Sequence, residues 1–274
     1  MPGYKVGIGQ CELISLTDAE LNFPWSVIFP HVPEDQRESY RDLYPSSYGS
    51  IGFRTDAGAY VVRSGGKSVM VDTGIGPGPH AMLGGLQGRL VDDMKSKGIA
   101  PEEIDAVVHT HLHFDHVGWN LADGKPTFPN ATYCAPKADL EFFEPNAQAN
   151  PQLGQILPLR EMGRLELFEG SLTIAPGIST IPTPGHTPGH SSVLVESDGA
   201  KAIVAGDVAH HPMQVDHPEW SGAFDVDGEL SAKSRKALID RLENEGIIAA
   251  FCHFPGEGLG KIVRDGGRRV FQVL

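Results

Sequence analysis

The chain has 274 residues, of which 40% are hydrophobic and 21% charged, and its formal net charge at pH 7 is -13. That length and apolar content support a large packed core and exclude a disordered, coiled-coil or collagen-like chain. The acidic balance, with no basic stripe to offset it, argues against nucleic acid or an anionic membrane as partner.

The first twenty residues hold no basic region followed by an apolar run. No later stretch approaches the ~20 apolar residues of a membrane span, so a cytoplasmic protein is expected. Cys11, Cys134 and Cys252 lie far apart with no Cys-x-x-Cys pair. They read as buried thiols, not as a disulfide framework. From about residue 20 to 50, prolines and aromatics crowd together: Phe23-Pro24-Trp25, Phe29-Pro30-His31-Val32-Pro33, Tyr44-Pro45. Such a stretch predicts a packed loop, not a helix. It would line a pocket, meet a partner subunit in a homodimer, or simply wrap the surface.

From about residue 57 the pattern turns strand-like. Ala59–Arg63 and Ser68–Asp72, joined through Gly65-Gly66, predict a hairpin. Residues 86–97 predict a helix with Leu86, Leu90, Val91 and Met94 on one face. Ile104–Val108 is a buried strand that runs directly into histidines. Short strands follow at 165–168, 172–174, 178–181, 192–196 and 202–204. Residues 230–242 predict the clearest helix, capped by Asp227, with Leu230, Ala237, Leu238, Arg241 and Leu242 on one stripe. A buried strand at 247–252 and a hairpin of 261–263 with 268–273 close the chain. Strands and helices mix in each half without strict alternation, which suits two packed sheets with helices outside, in one domain over 1–274.

The twelve histidines are the unusual count. His111-Leu112-His113-Phe114-Asp115-His116 follows a strand end. In extended chain His111 and His113 point the same way and can grip one cation, while Asp115 and His116, past the turn, face a second. Imidazole and carboxylate suit zinc and other first-row metals. Downstream, His186, Asp207 and His253 each follow a predicted strand. Asp207 can bridge two cations with its two oxygens, and His190 reads as a packed neighbour of the site.

These residues, with the Val71-Asp72-Thr73-Gly74 turn, resemble the metallo-β-lactamase superfamily over about residues 57–256. The resemblance implies an α/β fold, the αββα four-layer sandwich, with a metal site at one edge of the sheets. It implies that His111, His113 and His186 hold one metal, that Asp115, His116 and His253 hold another, and that Asp207 bridges them. Asp72 would orient ligands through hydrogen bonds. Among the branches, N-acyl-homoserine lactonases and methyl parathion hydrolases are most similar, because a carboxylate (Asp207) bridges where zinc β-lactamases carry Cys. The lactonases have Tyr three residues after that Asp. Here the position is His210, either a hydrogen-bond donor in the same role or a loop histidine.

The implied activity is a dinuclear metal-dependent hydrolase that opens lactones or cleaves carboxylic esters, with Asp115, Asp207 and His210 as catalytic residues. Its cofactors would be two divalent ions, zinc first, with manganese, cobalt or iron also suited. Its partner would be a small-molecule lactone or ester. The alternatives are an organophosphate triester hydrolase and, from another class, a mononuclear iron sulfur dioxygenase. Trp25, Phe29, Trp119, Phe143, Trp220 and Phe224 are candidates for an apolar substrate pocket, against the plainer reading that they are core.

Overall fold

The computed structural model describes residues 3–274. One sheet runs in the order Lys5–Ile8, Cys11–Phe23, Gly52–Ser64, Lys67–Val71, Ala106–Val108, Thr132–Pro136, Leu165–Phe168, with Tyr48–Gly49 paired onto Gly52–Ser64. The other runs Thr173–Ala175, Ile178–Pro182, Ser191–Ser197, Ala200–Val204, Ile248–Ala250, Leu259–Asp265, Arg268–Val273. Both are mixed. The last four strands of the first sheet are parallel, and Ala200–Val204 lies parallel to Ile248–Ala250 in the second.

Period-two alternation builds the layers. Tyr60 and Val62 enter the core between the sheets, where Val193, Val195, Val204 and Ala250 meet them. Their neighbours Ala59 and Val61 face the other way, against Leu90 and Met94 of the helix Leu90–Ser96. Beyond the second sheet, Ile203, Ala249, Ile262 and Phe271 pack on Leu238, Ile239 and Leu242 of the helix Gly228–Glu245. The result is helix, sheet, sheet, helix, as the resemblance implied. No helix among the described residues is long and apolar enough to cross a membrane.

Regular structure starts well before residue 57. Cys11–Phe23 is a 13-residue strand, masked in the sequence because its alternation breaks at Asp18. A register shift between Thr17 and Ala19 turns that carboxylate inward, fully buried. The segment 20–50 is also more ordered than a loop. Phe23 ends the long strand, and short helices Trp25–Ile28 and Glu34–Glu38 begin behind Pro24 and Pro33, where a missing N–H costs little. Trp25, Phe29, Tyr40 and Tyr44 are buried in the core outside the second sheet.

Two helix readings need correction. The first helix begins at Leu90, and Leu86 sits before it, bridged to His80. In Gly228–Glu245 the Asp227 cap holds, its carboxylate accepting from Leu230 N at 2.9 Å. The buried stripe, however, is Ser231, Arg235, Leu238, Ile239 and Leu242, while Leu230 and Ala237 are exposed. Two polar residues occupy the inward face, so hydrophobicity alone misplaced it.

Candidate metal centre

Every candidate residue stands past the C-terminal end of a strand, where the chain leaves the sheet and its side chains are free to converge. Asp72 follows Lys67–Val71, and His111 to His116 follow Ala106–Val108. His186 follows Ile178–Pro182, Asp207 follows Ala200–Val204, and His253 follows Ile248–Ala250. Asp207 depends on the residue before it. Gly206 has φ +58, and a Cβ there would lie 2.8 Å from both His190 Nε2 and Thr110 Cβ, so only glycine fits this turn.

His111, His113, His186 and Asp207 form one group whose donor atoms all lie within 4.8 Å of one another, and Asp115, His116 and His253 form another. In the first, His113 Nδ1 is 3.1 Å from His111 Nε2 and 2.9 Å from His186 Nε2. Asp207 joins the two groups. Its Oδ2 lies 3.3 Å from His186 Nε2 and 3.6 Å from His111 Nε2. Its Oδ1 lies 3.2 Å from both His116 Nε2 and His253 Nε2. Asp115 reaches His253 Nε2 at 3.6 Å and His116 Nε2 at 3.9 Å.

The outer ring nitrogens are occupied, which sets the tautomers. His116 Nδ1–H donates to Asp72 Oδ2 at 2.9 Å, and His186 Nδ1–H to Asp225 Oδ1 at 2.9 Å. His253 Nδ1–H donates to the Asp56 carbonyl at 2.7 Å. His111 Nδ1–H meets Thr110 Oγ1 at 3.0 Å, whose own hydroxyl donates to Asp72 at 2.7 Å. Each of these imidazoles therefore turns its Nε2 inward. Asp72 is held in the left-handed region at φ 60, a conformation stabilised by its bonds to Thr110 and His116.

These atoms fit divalent cations. Imidazole nitrogens and carboxylate oxygens that converge to about 3 Å in a buried site are the donor set that a positive ion takes. Asp207 Oδ1 and His116 Nε2 are buried and have no hydrogen-bond partner among the described residues, although 3.2 Å apart. Buried polar atoms left so are rare. Burial and the neighbouring imidazoles hold His111 and His113 well below the usual histidine range, so both are neutral donors. Burial opposes protonation at His186 too, but Asp207 and Asp225 outweigh it and raise this group to about 9, so a cation bound there would displace its Nε2 proton. Burial likewise opposes ionisation of Asp207, and His116, His253 and His210 overcome it, so that its carboxyl is held low.

Residues 56–253 match the Metallo-beta-lactamase superfamily. The chain belongs to that superfamily. An N-acyl homoserine lactonase of Bacillus sp is 30% identical over 166 residues, covering 60% of this chain and 62% of that protein. The AttM lactonase of Rhizobium radiobacter is 32% identical over 174 residues, covering 55% and 60%. The matches thus span less than two thirds of these relatives' lengths. Among solved structures, the hydrolase AbOPH superposes with a TM-score of 0.86 at 25% identity, covering 98% of this chain and 96% of that one. AidC, a dizinc quorum-quenching lactonase in complex with a product, superposes with 0.84 at 21% identity, covering 97% and 95%.

In this superfamily member His190 sits behind Asp207. Its Nε2 accepts from Asp207 N at 3.0 Å, and its Nδ1 meets the Thr183 carbonyl at 3.1 Å. Burial pushes it down to about 3, so it stays neutral. His210 is brought into the site, with Nε2 3.2 Å from Asp207 Oδ2 and its ring stacked on His253 at 5.5 Å. The pocket aromatics divide. Phe143 lies 5.8 Å from His113, and Phe224 is exposed beside Asp225. Trp25 and Phe29 are core residues, a correction to their reading as pocket wall, with Trp25 packed on Phe53 and His211. Trp119 donates its indole N–H to Asp18 at 2.8 Å, and Trp220 stacks on His217 at 4.0 Å.

Sequence reasoning missed three buried polar residues. Asp225 and Arg235 stand behind His186. Asp139 accepts from Leu112 N at 3.0 Å, Thr187 Oγ1 at 2.8 Å and Gly189 N at 2.6 Å, tying the His111–His113 turn to the His186 turn. One signal was available: Arg235 interrupts the apolar face of its helix.

Proposed function

We propose that this chain is a dinuclear metal-dependent hydrolase that opens lactones or cleaves carboxylic esters. The observation that carries the reading is Asp207, whose two oxygens each face a separate cluster of inward-turned donors. The lactonase relatives supply the substrate class. His111, His113 and His186 would hold one ion, Asp115, His116 and His253 the other, with Asp207 between them. Two such ions would lower the pKa of a water and polarise a carbonyl oxygen.

The chain's own residues would do the rest. Asp207 fixes the separation of the two clusters and orients the nucleophile. Asp115 has its side chain 13% exposed against 4% for Asp207, so it is the one of these two carboxylates nearer to solvent. Burial keeps His210 below the usual histidine range and therefore neutral. Its Nε2–H then serves as a hydrogen-bond donor to the substrate carbonyl or the leaving oxygen, not as an acid.

Proton release in a pH-stat tests this, using metal-loaded protein against acyl-homoserine lactones, γ- and δ-lactones, aryl esters and phosphotriesters. Turnover of lactones or esters is expected, with His210→Ala lowering kcat at least 10-fold and His210→Tyr restoring much of it. Turnover of phosphotriesters alone would replace the ester reading. One iron per chain with no hydrolysis would overturn it in favour of a dioxygenase.

A further inference from the structure

We infer that Asp225 and Arg235 form a clamp that positions His186 and ties its loop to the turn carrying Asp207. This rests on His186 and Asp207 serving as ligands, as proposed above. The side chain of Arg235 is completely buried. Each guanidinium nitrogen has an acceptor. Nε donates to the Val208 carbonyl at 2.6 Å, and Nη1 to the Pro218 carbonyl at 2.7 Å. Nη2 donates to Asp225 Oδ2 at 2.9 Å and Ser231 Oγ at 2.8 Å. Val208 is the neighbour of Asp207, and Pro218 opens the loop that carries Asp225. One side chain thus fastens both elements to the helix Gly228–Glu245.

Asp225 completes the connection. Its Oδ1 accepts from His186 Nδ1–H at 2.9 Å. The same loop grips the His186 main chain: Val226 N donates to the His186 carbonyl at 3.0 Å, and Asp227 N to the Gly185 carbonyl at 2.9 Å. The turn itself is pressed onto the helix. A Cβ on Gly185, at φ +132, would lie 2.1 Å from Ser231 N. His186 is therefore held at side chain and backbone by one loop, and the loop by one arginine.

Stability alone does not call for this arrangement, because a buried ion pair is often no better than an apolar pair of the same volume. What the pair provides is placement. The carboxylate keeps the proton on Nδ1, so Nε2 presents its lone pair toward His113 and Asp207. Arg235 Nη2, 2.9 Å from Asp225 Oδ2, offsets the carboxylate's charge and fixes its orientation toward His186. His116 has a different partner, Asp72, whose carboxylate accepts from Thr110 N, Thr110 Oγ1 and His116 Nδ1, with the Cys252 thiol 3.8 Å away. Asp225 and Arg235 are positioning residues, and neither touches the metal or substrate.

The test measures zinc binding by chelator competition and the visible spectrum of the cobalt-loaded protein, for wild type, D225N, D225E and the double variant D225N/R235M. In D225N the amide keeps its oxygen on Arg235 and turns N–H toward His186, which forces the proton onto Nε2. One of two metal equivalents should weaken about 10–100-fold, with an altered cobalt spectrum. The double variant removes both charges and should melt cooperatively, yet show the same metal loss. If it does not fold, D225E decides, since it keeps the charge against Arg235 and displaces the carboxylate by one methylene. A folded double variant, or D225E in its place, with wild-type zinc affinity and cobalt spectrum would overturn the clamp. A wild type that binds no second equivalent would instead overturn the dinuclear reading.

Discussion

Replacing Asp72 by Asn isolates what a carboxylate behind the candidate ligand His116 contributes. The backbone is unaffected, because Asn tolerates the left-handed conformation that Asp72 adopts at φ 60. Oδ1 accepts from Thr110 N at 2.8 Å, and Oδ2 accepts from Thr110 Oγ1 at 2.7 Å and His116 Nδ1 at 2.9 Å. An amide has only one acceptor oxygen for these three donors, so its N–H₂ must face either the Thr110 amide or His116. Burial disfavours the ionised Asp72, but His116 and His109 hold its carboxyl far below the usual range, so Asn also removes a full charge. A hydrogen bond to a charged group contributes about 1.5–3 kcal/mol. At about 1.4 kcal/mol per tenfold, that is roughly a 10–100-fold loss in affinity for one metal equivalent. Chelator competition with zinc reads it directly, and circular dichroism checks that the fold is kept. Unchanged affinity for both equivalents would refute the claim that Asp72 acts through His116.

Two further substitutions test parts of the fold that hold the site. Asp18 accepts from Ile75 N, Gly76 N, Leu90 N and Trp119 Nε1 at 2.6–3.3 Å. Asp18→Ala strands these donors in the interior and should cost on the order of 3–5 kcal/mol in urea unfolding; a midpoint within error of wild type would contradict it. Burial raises the Asp139 carboxyl to about 6, above the ordinary carboxylate range. An acid raised in the folded state stabilises below its unfolded pKa, and that contribution is lost as pH climbs through the folded pKa. Metal-free wild type should therefore lose about 3 kcal/mol relative to Asp139→Asn between roughly pH 4 and pH 7. Parallel stability curves would show that Asp139 stays ionised throughout.

The histidine cluster was legible because its logic is local. Just past the strand Ala106–Val108, an extended His111-Leu112-His113 points two imidazoles to one side, and Gly-Asp or Gly-His turns after short apolar strands mark where other candidate ligands leave the sheet. The hairpin of Ala59–Arg63 with Ser68–Asp72 was equally visible, and the structure pairs these strands antiparallel. Asp18 was not, because a bulge reversed its direction, and a bulge leaves no mark in composition. The helix Gly228–Glu245 was read one residue out of phase because Ser231 and Arg235 lie on its buried face. Hydrophobic patterning assigns such residues to solvent.

By itself, then, the sequence determined the donor types, their order along the chain and the strand ends that present them, since these follow from backbone periodicity and side-chain chemistry. Only the tertiary structure decided which carboxylates stand behind which imidazoles. Asp72 backs His116 from 44 residues away and Asp225 backs His186 from 39. Those pairings arise from how the two sheets and the loop at 217–227 pack together. In the folded interior a buried carboxylate must find a donor, and no spacing along the chain specifies which one lies within reach.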